Sequence, residues 1–112
     1  MTNERSEQDD TSELFNTLSF RVKPRQTDCA GSWALGRIGD YRFEALVFPE
    51  HAVHPSFELG DSRISKLYIR RESDRTTLVN FDRGWDTRPA SPELEMVVEL
   101  LTDGLASAVY GQ

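Results

Sequence analysis

The sequence predicts an α+β domain, an antiparallel sheet of four to five strands with one carboxy-terminal helix packed on one face. Three observations lead there. Runs rich in strand formers flank Gly39-Asp40 in "SWALGRIGDYRFEALVF". Two more such runs, "RISKLYIRR" and "TTLVNFD", follow on either side of the polar segment "ESDR". The period then changes, and Leu94, Val97, Val98, Leu101, Leu105 and Val109 recur at helical spacing. A lone helix with one apolar stripe must dock, and one face of the sheet is the only large apolar surface on offer.

Each element can be justified in chain order. Residues 1–13 carry Glu4, Glu7, Asp9 and Asp10 and almost no hydrophobes, so they cannot offset the entropy of ordering. They are expected to form a disordered acidic tail ahead of a single domain over 14–112. "LFNTLSFRV" is expected to begin as a short helical turn and to run as a strand over Leu18 to Val22. Pro24 ends it, and "TDCAGS" is a loop. In the hairpin, a glycine at the first central position suits a type II′ turn, whose twist matches antiparallel strands. Tyr41, Phe43, Ala45 and Val47 would line one face of its second strand, with Arg42, Glu44, Leu46 and Phe48 on the other. Neither face is purely polar, which marks a central strand.

"PEHAVHPSFELGDS" is a long connection for so small a domain, and it holds both histidines. On the next strand Ser65, Leu67 and Ile69 are expected to face one way, and Ile64, Lys66, Tyr68 and Arg70 the other. Thr77, Val79 and Phe81 share a face of the last strand. Ser91 is a natural N-cap, Pro92 fits the first helical position, and Glu93 complements the positive end of the dipole. Gly104 is expected to weaken the last turns and to end the helix early.

Composition narrows the function classes. A chain of 112 residues makes one domain, burying roughly two-thirds of its unfolded surface. No apolar run approaches the ~20 residues needed to cross a bilayer, and the first residues lack the basic and apolar regions of a signal peptide. No membrane partner is expected. Cys29 is the only cysteine, which excludes an internal disulfide and fits a cytoplasmic location. The net charge of -6 argues against a general nucleic-acid coat. Residues 63–88 nevertheless hold seven basic and four acidic side chains, which suits either an anionic partner or a solvated strand edge.

Catalytic signatures are weak. His51 and His54 stand three apart, but between prolines and without a third ligand at metal spacing, so they are weak metal candidates. Cys29 has no paired base nearby. Neither a GxGxxG nor a P-loop pattern occurs. No cofactor and no catalytic residue is expected.

The segment "NFDRGWDTRP" supports two readings. In the functional one, Asp82, Arg83 and Asp86 form a polar constellation beside Trp85: Arg83 clamps a carboxylate or phosphate, and Trp85 stacks. In the structural one, Asp82 accepts amide hydrogen bonds in an Asx-type turn, Gly84 takes a positive φ, and Trp85 folds back over the core edge. Asp86 then pairs with Arg83 or Arg88.

"RISKLYI" followed by "NFDRGWD" resembles a family of small bacterial and phage-encoded proteins known as a domain of unknown function. The family pattern is Ile-Ser-Lys-Leu-aromatic-Ile, a turn, then aromatic-Asp-Arg-Gly-Trp-Asp. Here it falls on Ile64, Ser65, Lys66, Leu67, Tyr68 and Ile69, and on Phe81 to Asp86. The similar region covers about residues 33 to 100. The resemblance implies a recurring domain that holds both segments in one unit, and it carries over no activity.

Three functions are compatible with these residues. The first is a non-catalytic interaction module for an unidentified protein partner, docking through the sheet or the Trp85 turn. The second is nucleic-acid association through the row Lys66, Tyr68 and Arg70 with Arg83. The third is a small enzyme built on the 49–60 loop and the 82–86 turn, which requires that loop to fold over that turn. A sheet edge also offers a route to a homodimer.

Overall fold

Strand formers in five runs and one three-residue segment assemble into a single antiparallel sheet whose strands lie side by side in chain order. The computed structural model describes residues 14, 16–24, 31–54, 56, 58–60 and 62–111. The acidic tail expected over 1–13 and Cys29 in its loop lie outside them. The strands are β1 (Ser19–Pro24), β2 (Ser32–Ile38), β3 (Tyr41–Val47), β4 (Ile64–Arg71), β5 (Thr77–Asp82) and β6 (Trp85–Thr87). One helix follows, α1 (Pro92–Tyr110).

The sheet has six strands, not four to five. The additional one is β6, where Trp85 pairs with Phe81 and Thr87 with Asn80. Three residues are too few to show alternation, so "WDT" reads in sequence as the approach to the helix. The first strand also sits slightly later than expected, pairing Ser19 with Arg37 through to Pro24 with Ser32. The β2–β3 hairpin turns at Gly39-Asp40 as expected. Gly39 has φ 57° and Asp40 is not among the positive-φ residues, as a type II′ turn requires.

Alternation along each strand separates the two faces. Ile38, Phe43, Ala45, Val47, Leu67, Ile69, Val79 and Phe81 form one buried cluster with Leu94, Val97, Val98, Leu101, Leu105 and Ala106 of α1. The stripe on the helix therefore does what its spacing predicts, with Val109 partly buried at its end. Two bulges modify the pattern. A register shift at Leu46/Val47 pairs Val47 with Ile64, which brings Ile64 into the core although alternation placed it opposite. A second shift at Ile69/Arg70 leaves Thr77 exposed and packs Leu78 against the core.

Gly104 does not end the helix. α1 runs through it to Tyr110 and stops at Gly111, which has a left-handed φ of 75° and whose backbone N–H donates a hydrogen bond to Ser107 O. Tertiary burial of Leu101, Leu105 and Ala106 on either side of Gly104 outweighs its low propensity. Ser91 caps the start, its Oγ accepting from Leu94 N at 3.1 Å.

Both ends of α1 are pinned to the two ends of β3. Tyr41 donates to Glu93 at the start, and Tyr110 donates to Val47 O at 2.8 Å at the finish. Burial, then the hydrogen bond and charge of Glu93, push the Tyr41 phenol up to about 12. The solvent side of α1 carries Glu93, Glu95, Glu99 and Asp103, and the helix has no basic residue. No helix among the described residues is long and apolar enough to cross a membrane.

Candidate functional site

The face of the sheet turned away from α1 is open, and strand register determines what it displays. Residues alternating with the buried set fall into rows across the strands. One row runs Arg21, Leu35, Glu44, Tyr68, Asn80, and the next brings Arg37, Arg42 and Arg70 side by side. Four arginines from four strands thus surround a shallow depression of about 510 Å³, with Leu35, Glu44 and Tyr68 also in its lining. Two of them share a carboxylate: Glu72 lies 2.5 Å from Arg42 Nε and 3.7 Å from Arg37. A guanidinium presents a planar fork that matches carboxylate and phosphate geometry, so the rim suits an anion.

The expected row of Lys66, Tyr68 and Arg70 is present on this face. Lys66 faces Asp82 at 3.8 Å. Burial, followed by the charge and hydrogen bond of Asp82, raises the Tyr68 phenol above its ordinary value. Asp82 therefore belongs to this row.

Arg83 and Trp85 are engaged elsewhere, while the charge of Asp86 also reaches Tyr68 on the open face. Arg83 N donates to Ser65 O at 2.9 Å, and Asp82 N to Gly84 O at 2.9 Å. The first of these bonds ties the turn to β4, joining the two segments singled out in the sequence. The left-handed residue of the turn is Arg83, at φ 56°, whereas Gly84 at φ 157° is nearly extended. Trp85 lies on the core side, edge-on to Phe81 at 5.3 Å, with the Arg88 guanidinium 5.4 Å from its ring centre. Asp86 is exposed.

Arg83 lines a second cavity, about 360 Å³, shared with Phe48, His51, Val53, Glu58 and Arg63. The 49–60 loop therefore does fold beside the 82–86 turn. Glu58 is its organising residue. Its buried carboxylate accepts from Arg63 N at 2.8 Å and from Ala52 N at 2.6 Å, with His51 Nδ1 at 2.9 Å. Burial pushes its acid up, but the His51 contact and the two amides outweigh burial and hold it below the ordinary carboxylate value. His51 is thereby fixed, while His54 is exposed and does not line this cavity. Among the described residues no group of three histidine, cysteine or acidic side chains is placed to hold a metal ion.

Sequence reasoning missed Arg21, Arg37 and Arg42 as partners of Arg70, and Glu58 as more than a loop acid. The arginines lie far apart in the chain and meet only through register. Glu58 had one faint signal, a carboxylate between Phe57 and Leu59 in "SFELGD".

No curated protein and no solved structure matches the chain. A family profile, described as a domain of unknown function, DUF7678, matches residues 32–106. That span begins at β2, takes in the whole lining of the second cavity, all of the first except Ser19, Phe20 and Arg21, and most of α1, and leaves β1 outside. On that match the chain belongs to the DUF7678 family.

Proposed function

We propose that this domain is a non-catalytic binding module that docks an acidic segment of a partner protein on the open face of its sheet. The observation that carries this reading is the convergence of Arg21, Arg37, Arg42 and Arg70 around one depression floored by Leu35 and Tyr68. Guanidinium forks pair with side-chain carboxylates, and the apolar floor accepts the aliphatic stems or an intervening hydrophobe. A net charge of -6 over the whole chain discourages a long polyanion from spreading beyond this patch.

The same face supports nucleic-acid association less well. Single-strand binders stack bases on presented aromatic rings. Here Tyr68 and Trp33 are half-buried, Tyr68 is engaged by Asp82, and Arg83 has left the row for the other cavity. Fluorescence anisotropy separates the two readings. A labelled Asp/Glu-rich peptide should bind saturably at low salt, and the double variant Arg37→Ser/Arg70→Ser should weaken it at least about tenfold. Tighter binding of an oligothymidine of equal charge would favour nucleic acid. No binding of either probe at low salt would end the proposal.

A further inference from the structure

The cavity between the 49–60 loop and the Asp82–Trp85 turn shares no lining residue with the docking face. Its chemistry is different. At about 360 Å³ it lies in the size range of small-molecule pockets. Four observations give it a character.

The first is the Glu58–His51 pair. An ionised carboxylate that already holds two amides and Nδ1 of His51 fixes the imidazole by that nitrogen. Nε2 is then the ring nitrogen left to meet a ligand. The second is charge. Arg63 and Arg83 line the same space, and Arg63 is steadied by donating from NH1 to Pro49 O at 2.8 Å. Glu58 already accepts from Arg63 N and Ala52 N beside His51 Nδ1, and Glu50 is the other lining carboxylate.

The third is backbone conformation. Among the described residues three non-glycine residues adopt positive φ, and two of them, Arg63 at 63° and Arg83 at 56°, are the two arginines of this cavity. Non-glycine residues in the left-handed region cost free energy and gather at ligand clamps. Arg75 in the β4–β5 turn and Arg83 in the β5–β6 turn share the ordinary explanation of a tight turn, so the strain argument rests chiefly on Arg63. The fourth is apolar surface. Val53 lines the cavity and is 93% exposed, beside the half-buried Phe48.

We propose that this cavity binds a small molecule carrying a carboxylate or phosphate on a short apolar body. Arg63, Arg83 and His51 hold the oxyanion, and Phe48 and Val53 cover the body. Glu58 acts as the positioning residue for His51 and for the loop amides. No bond is made or broken in the ligand.

The test uses the full chain and follows the two histidine ring signals and the amides of Ala52 and Arg63 by NMR. Inorganic phosphate, phenyl phosphate and benzoate are titrated in turn. His51 and Arg63 should shift saturably while His54 serves as the internal control. The phenyl group should tighten binding about tenfold over inorganic phosphate. Phenyl phosphate against benzoate then distinguishes the two oxyanions. Arg83→Asn removes the guanidinium with a residue that tolerates the left-handed backbone, and should weaken binding about tenfold or more. Arg63→Asn gives the same reading should Arg83→Asn lose its dispersed spectrum. Parallel, non-saturating shifts of His51 and His54 would overturn the proposal, as would wild-type binding by both variants. Saturation by phosphate without any gain from the phenyl group would remove its apolar half.

Discussion

The two faces of this sheet are made by the same strands, and they follow opposite rules. The face under α1 is dry and apolar, with Ile38, Ala45, Leu67, Ile69 and Val79 at 0% exposure. The face opposite alternates arginines with half-buried Leu35 and Tyr68. Neighbouring residues in a strand thus serve different ends, one holding the fold together and the next left free of that duty. The position of a residue modulo two, more than its type, tells which duty it has.

Several substitutions would break or refine that contrast. Leu101→Ala, on the helix side of the dry face, should cost about 3 kcal/mol or more in urea unfolding. Leu46→Ala is the sharpest challenge, because Leu46 belongs to the open face by register yet is only 4% exposed and stands outside the core cluster. A loss of about 2 kcal/mol would show that the open face has a small apolar anchor of its own. A negligible loss would extend the contrast to this position as well.

Gly36→Ala tests how β1 is attached. A Cβ there would come 2.2 Å from Ser19 O and 2.6 Å from Phe20 Cβ, and a backbone carbonyl cannot step aside cheaply. The expected loss is about 1 to 2 kcal/mol, with faster amide exchange confined to β1. A destabilisation spread evenly over all strands would contradict the view that the clash acts on the β1–β2 pairing alone.

Acid titration addresses the loop. Glu58 has a folded pKa below its ordinary 4.5, so its contribution is complete above that pH and declines as pH falls through the lower folded value. Urea unfolding of the wild type between pH 6 and pH 3 should therefore show a pH-dependent component that Glu58→Gln lacks. Identical pH slopes for the two proteins would rule that linkage out. The smallest effect is expected from Arg70→Ala, whose stability should stay within about 0.5 kcal/mol of the wild type. A larger loss would mean that the open face is structural after all.

Much of the fold was legible because its strongest signals are local. The Gly39-Asp40 hairpin, the β4–β5 pair and the capped helix each rest on neighbouring residues. What escaped depended on partners distant in sequence. β6 exists because Phe81 and Asn80 are there to pair with it, and Ile64 turns inward because of a bulge against Val47. Gly104 stays helical because the residues around it are buried under the sheet. Of the candidate residues, the Lys66, Tyr68 and Arg70 row followed from alternation alone. The separation of Arg83 from that row did not, since it depends on Arg83 itself adopting a left-handed conformation next to the positive-φ Gly84. The joining of His51, Glu58 and Arg63 likewise needed the path of a loop that no period describes.

One consequence follows from the acidic helix lying on the side opposite the arginines. The molecule has an electrical front and back, which its net charge of -6 conceals. At low salt, where the Debye length is about 30 Å at 0.01 M, a distant acidic visitor feels mostly the net repulsion. Nearer, it feels whichever side it meets, and only the arginine side rewards the approach. Association would then be gated by orientation, and moderate salt would speed the encounter by dulling the distant repulsion while weakening the complex once formed. An on-rate and an affinity that move in opposite directions as salt is first added would be the signature of that front and back.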